Sequence, residues 1–176
     1  MKKVLVLFAI VILSLTQSFA QDSKGYIGVS LGYAVPMGDT ADGADSGLEL
    51  GLINFGYRFS ETWGATLNWG ASAHKSPDFK DFTLGVGYLA IGPMISFGGL
   101  DIKPQYAFTS LVVNDSLGEE TTYDGESGFI LGATYNFPLV GNWGIAVNAD
   151  YLNFTTEDFD DSDSLFKLTV GVRYNF

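Results

Sequence analysis

The last eleven residues, Phe166 to Phe176, alternate apolar with polar or small side chains and end on an aromatic. By the two-residue period of a strand, Phe166, Leu168, Val170, Val172, Tyr174 and Phe176 share one face, and Lys167, Thr169, Gly171, Arg173 and Asn175 share the other. In water the first face would be a bare greasy surface; in lipid it is where such side chains belong. Lipid offers no partner to backbone N–H and C=O groups, so strands that cross it must close on themselves and leave no edge. The predicted fold class is therefore all-β, an eight-stranded antiparallel up-and-down barrel whose last strand pairs with its first.

The same alternation recurs along the chain. Ile27, Val29, Leu31, Tyr33 and Val35 are expected to face out, against inward Gly28, Ser30 and Gly32. Trp63, Ala65, Leu67, Trp69 and Ala71 oppose Gly64, Thr66, Asn68, Gly70 and Ser72, and Ile102, Tyr106 and Phe108 oppose Lys103, Gln105, Ala107 and Thr109. Phe129 to Phe137 and Trp143 to Tyr151 repeat the pattern. Two segments break phase. Leu48, Leu50 and Leu52 are even-numbered while Ile53, Phe55, Tyr57 and Phe59 are odd, which calls for a bulge near Gly51. Phe82, Leu84, Val86 and Tyr88 give way to Leu89, Ile91, Ile95 and Phe97, which calls for a second slip or a bend at Gly92-Pro93.

Connections alternate in length. Ser60 to Thr62, Gly98-Gly99 and Pro138 to Asn142 are short, whereas the stretches around 36–46, 74–81, 113–127 and 154–164 are long and hold fifteen of the twenty acids. Short turns at one end and long polar loops at the other suit a bacterial outer-membrane barrel, with both termini on the short-turn, periplasmic side. Aromatics cluster where strands should meet the two interfaces, Tyr57, Phe59, Trp63, Phe97, Phe137, Trp143, Tyr174 and Phe176 at one end and Tyr33, Trp69, Phe82 and Tyr151 at the other.

Lys2 and Lys3, an apolar run from Val4 to Leu15, and Ser18-Phe19-Ala20 before Gln21 read as a secretory signal, residues 1–20, with the barrel domain over 21–176. The run is shorter than the ~20 residues of a spanning helix. Without Lys2 and Lys3 the net charge moves from -11 to -13, so nucleic acid is not expected as a partner. Aromatic content of 15% beside 22 glycines and no cysteine fits strands with tight turns and no disulfide framework.

On the signal, the eight alternating strands and the terminal Tyr174-Asn175-Phe176, the chain resembles the small eight-stranded outer-membrane β-barrel family of the OmpA transmembrane domain and OmpX, without the OmpA periplasmic domain. That resemblance implies secretion, periplasmic chaperones and insertion by the barrel-assembly machinery, with Tyr174 and Phe176 as the assembly signal. It implies a cell-envelope protein of a Gram-negative bacterium, embedded in outer-membrane lipids and lipopolysaccharide, and a monomer.

Parity directs six charges away from lipid: Glu49, Arg58, Lys103, Asp150, Lys167 and Arg173. Arg58, Lys103 and Arg173 should lie toward the short-turn end and Glu49, Asp150 and Lys167 toward the loops. Uncompensated charge in a lumen costs several kcal/mol, so they should pair or stay hydrated. A static lumen network is the expectation; a gate in which Lys167 exchanges Glu49 and Asp150 is the sharper alternative.

Other signals are weaker. Glu157 to Asp163 offers oxygen ligands but not the order of a calcium loop, and is read as solvated surface. His74, near Ser76 and Asp78, is read as an exposed loop histidine rather than part of a triad. Gly85 to Ala90 matches a dinucleotide pattern but lacks the helix it needs. Asn114 and Asn153 open N-glycosylation patterns that mean little in a bacterial protein. No catalytic, metal or cofactor site is assigned. The expected function is a non-enzymatic envelope-integrity or surface-interaction protein acting through acidic extracellular loops; the alternatives are a small gated porin-like channel and a soluble lipocalin-type carrier, the last requiring its apolar side chains inside.

Overall fold

The computed structural model describes residues 24–38, 40–76, 82–114, 120–156 and 159–176, so the stretch 1–20 read as a signal and parts of the long loops lie outside the described residues. Eight strands form a closed antiparallel barrel in sequence order: β1 Gly25–Met37, β2 Gly47–Arg58, β3 Trp63–Lys75, β4 Thr83–Phe97, β5 Leu100–Asn114, β6 Glu120–Pro138, β7 Trp143–Thr156 and β8 Phe159–Asn175. One helical turn, α1, Thr40–Gly43, interrupts the first long connection. No helix among the described residues is long and apolar enough to cross a membrane, which says nothing of strands.

Closure is made by β1 against β8, in unbroken register from Tyr26 opposite Asn175 to Met37 opposite Ser164. Backbone bonds between Gly25 and Phe176, 2.8 Å in each direction, extend that seam to the last residue. Gly32 and Gly171 let it close, because a Cβ at either would overlap the backbone carbonyl opposite, of Leu168 and Val29 respectively. The short turns follow Arg58, Phe97 and Pro138. Gly98 and Gly141 sit in two of them at φ of 64° and 65°, a conformation other residues rarely adopt.

Apolar side chains line the outside. Ile27, Val29, Leu31, Tyr33 and Val35 on β1 and Phe166, Leu168, Val170, Val172 and Tyr174 on β8 are all exposed, and the intervening residues point inward. This inverts a lipocalin, whose wall is apolar inside. The short-turn end carries an outward belt of Tyr57, Phe59, Trp63, Phe97, Phe137, Trp143, Tyr174 and Phe176.

The bulge expected in β2 is present. Register shifts between Gly51 and Ile53 against β3, and the same extra residue shifts β2 against β1 between Gly28 and Ser30. Leu48, Leu50 and Leu52 thus face out before it and Tyr57 after it.

The slip expected in β4 is absent. Register against β3 runs evenly through Gly92 and Pro93, and register against β5 is the same before and after them. Leu89, Ile91 and Phe97 face out along one odd-numbered set, while Val86, Tyr88, Ala90 and Met94 are buried in the lumen. Val86 and Tyr88, expected on the lipid side, are lumen residues. The stretches 113–127 and 154–164 are also mostly strand, since β5 and β6 stay paired out to Asn114 and Glu120, and β7 and β8 out to Thr156 and Phe159. With 19 residues in β6 and 17 in β8, these strands exceed the ~9–11 that cross a bilayer. Their acids at Glu120, Asp124, Glu126, Asp160, Asp161 and Asp163 therefore stand on strands rather than on slack loops.

Candidate functional site

Among the described residues the lumen is where acids and bases meet as buried ion pairs, and its contents are layered. Nearest the short turns, Asp101 is fully buried between two arginines: Arg58 Nη2 donates to Oδ1 at 3.0 Å and Arg173 Nη1 to Oδ2 at 3.4 Å. Ser96 Oγ donates to the same carboxylate at 2.7 Å and accepts from Arg58 Nε at 2.9 Å. Arg173 also donates to Asn175 and lies 4.3 Å over the Tyr26 ring. Sequence reasoning passed over Asp101 because it adjoins the Gly98-Gly99 turn. It shares its parity with Lys103 and Gln105, and that signal would have found it.

The middle layer is a row of one register. Lys103 on β5 stands opposite Gly132 on β6, Gly132 opposite Asp150 on β7, and Asp150 opposite Lys167 on β8. Lys103 and Asp150 meet at 3.6 Å across Gly132, where a Cβ would overlap the carboxylate. Neutral bonds brace this level: Asn68 to Gln105 at 3.0 Å, Thr134 to Asn148 at 2.7 Å, and Asn148 to Thr169 at 2.9 Å.

Toward the long loops, Lys167 turns from its cross-strand neighbour Asp150 to Glu49, 3.7 Å away, with its ammonium 3.4 Å from the centre of the Tyr88 ring. Tyr88 OH donates to Glu49 Oε1 at 2.6 Å. Thus the six charges singled out by parity divide into Arg58 with Arg173, Lys103 with Asp150, and Glu49 with Lys167, and Asp101 joins the first pair.

Beside the last pair the lumen turns apolar. Val86, Leu111, Ile130, Leu152, Phe154 and Leu165 form a buried cluster with Tyr88, Ala90 and Ala107, and Leu84 and Val113 pack against it. A barrel interior of about eight strands is only just wide enough for side chains, so this cluster and the ion pairs fill it.

His74 is not an exposed loop residue. It lies on β3, is 1% exposed, and uses both ring nitrogens: Nδ1 with the Asp45 carbonyl at 2.9 Å and Nε2 with Ser72 Oγ at 2.8 Å. The carbonyl can only accept, so Nδ1 carries the proton and Nε2 accepts from the serine. Asp45 N donates to the Lys75 carbonyl at 2.8 Å, and together these bonds tie the first long connection to β3. His74→Ala is expected to cost about 1–3 kcal/mol through the lost buried bonds. Faster amide exchange at Asp45 with unchanged exchange at Glu61 is the measurement that checks it.

Among the described residues no group of His, Asp and Glu side chains is arranged to hold a metal ion. Of the acidic stretch weighed for calcium, 157 and 158 lie outside the described residues and 159–163 belong to β8. Tyr174 packs edge-on against Trp143 at 5.2 Å, and the Phe176 ring lies over Gly25.

Solved structures share this architecture. Neisserial surface protein A is similar at 14% identity and a TM-score of 0.63, over 86% of this chain and 97% of that one. Ail, the attachment invasion locus protein of Yersinia pestis, is similar at 13% identity and a TM-score of 0.57, over 89% and 100%. OprG of Pseudomonas aeruginosa follows at 14% identity and 0.50, over 88% and 97%. At such identities the likeness is one of fold. No curated protein matches the sequence. The sequence does match the family described as "Outer membrane protein beta-barrel domain" over residues 5–176. With its closed eight-stranded wall, apolar outside and charged within, the chain belongs to that outer-membrane β-barrel family.

Proposed function

We propose that the barrel is a non-conducting, non-enzymatic anchor in the bacterial outer membrane, and that its surface role is carried by the acidic long-loop end. The observation that carries this reading is the filled lumen: the cluster around Val86, Ile130, Leu152, Phe154 and Leu165 stands beside the Glu49–Lys167 pair, and both lie above the Arg58–Asp101–Arg173 layer. In this reading the short turns and both termini face the periplasm. The long-loop end, meaning the long connections together with the strand ends that flank them, has fifteen of the twenty acids and faces outward.

Charge narrows the partner. Ail has been solved with the heparin analogue sucrose octasulfate, a polyanion. Here the long-loop end is acidic, so the favoured partner is cationic, or is an anionic surface such as lipopolysaccharide bridged by divalent cations. Biogenesis through periplasmic chaperones and the barrel-assembly machinery belongs to the same proposal.

Two measurements test it together. In a planar bilayer the folded, inserted barrel is expected to show no steady openings, and Glu49→Gln is expected to stay silent. In cells lacking the protein, a chain with residues 115–119 and 157–158 removed and the neighbouring acids changed to amides is expected not to restore envelope tolerance to detergent or surface attachment. Glu49→Gln is expected to restore both. Steady wild-type openings altered by Glu49→Gln would replace the anchor with the gated channel.

A further inference from the structure

Among the described residues four basic side chains of the lumen, Arg58, Lys103, Lys167 and Arg173, share three carboxylates, Glu49, Asp101 and Asp150, as ion-pair partners. Asp101 serves two arginines at once. Arg58, at the short-turn mouth, has 23% of its side chain exposed, whereas Arg173 and Lys103 are buried. Both buried cations stand off from their acids, at 3.4 Å and 3.6 Å, beyond the ~2.7–2.9 Å of a close charge-assisted bond.

Those two cations border one cavity. Its polar lining comes from Ser30, Asn54, Lys103, Thr134, Asn148 and Arg173, together with the Tyr26 ring, and no carboxylate reaches it. Gly28 on β1 and Ala146 on β7 leave the space by having little or no side chain. It has room for about one small occupant.

We propose that this cavity binds a small monovalent anion, of chloride or bromide size, between Lys103 and Arg173. Such an ion would sit against two positive side chains and polar groups, with no like charge on the wall. Its negative charge would offset the excess cation in a setting where uncompensated charge is costly. Asn54 marks the wall where a fixed charge could replace the ion, because its Nδ2 donates to Ser30 Oγ, at 3.2 Å, and Ser30 can reverse its hydroxyl to donate.

The test compares urea unfolding of the refolded barrel in sodium chloride and in sodium gluconate at one ionic strength. At chloride about ten times its dissociation constant, the folded-to-unfolded ratio is expected to be about tenfold higher than in gluconate. Asn54→Asp is expected to abolish that difference by supplying the charge internally. Equal stability of the wild type in both salts overturns the proposal, and so does a chloride effect that survives intact in Asn54→Asp. Should that variant not refold, wild-type crystals soaked in bromide decide: an anomalous peak between Lys103 and Arg173 supports the site, and none there overturns it.

Discussion

Asp101→Ala is expected to destabilise the barrel strongly while leaving it able to close. It removes the carboxylate that Arg58 and Arg173 share and leaves Arg173 buried without an opposite charge. Taking one partner from a buried ion pair costs about 3–5 kcal/mol, and the exposure of Arg58 keeps its share of that loss small. The urea midpoint should fall by that free energy divided by the m-value. Glu61→Gln, at an exposed turn, should leave the midpoint in place. If Asp101→Ala matched the wild type, the short-turn layer would have to be solvated rather than paired.

Gly171→Val is expected to block closure altogether. The new Cβ would overlap the Val29 carbonyl and meet Ser30 Cβ at 2.8 Å, and the obstruction is mainly backbone, which cannot rotate away. Separating β1 from β8 exposes two strand edges to lipid, where each unpaired backbone group costs several kcal/mol. The expected result is loss of the compact band that a folded barrel shows on an unheated SDS gel. Gly43→Ala, with nothing near its added methyl, is the control and should fold normally. A folded Gly171→Val band would mean that the β1–β8 seam can close in another register.

Much of this was legible in the sequence because the wall of a membrane barrel has a single rule, apolar outward and polar inward, repeated with period two. The rule placed the odd-numbered set of β1, the even-numbered set of β8 and the Gly51 bulge where the structure has them. It failed on β4 for a physical reason. Val86 and Tyr88 are apolar because they help to fill the lumen, and hydrophobicity does not distinguish an internal core from a lipid-facing surface. Leu89, Ile91, Pro93, Ile95 and Phe97 form an unbroken odd-numbered run that would have kept the phase. His74 was misplaced in the same way, by trusting the polarity of Lys75 to Asp78 over the parity it shares with Ser72.

The sequence by itself determined that the chain crosses lipid as closed antiparallel strands, which residues of β1 and β8 face the bilayer, and that most of the acids gather at one end. Each of those follows from local alternation and from where turns interrupt it. Only the tertiary structure decided which inward charges meet. Partners such as Glu49 and Lys167, or Arg58 and Asp101, sit on strands that are not neighbours in the sheet and face each other across the lumen. Their contact depends on strand tilt and stagger once the barrel has closed, and neither quantity is written in any one strand.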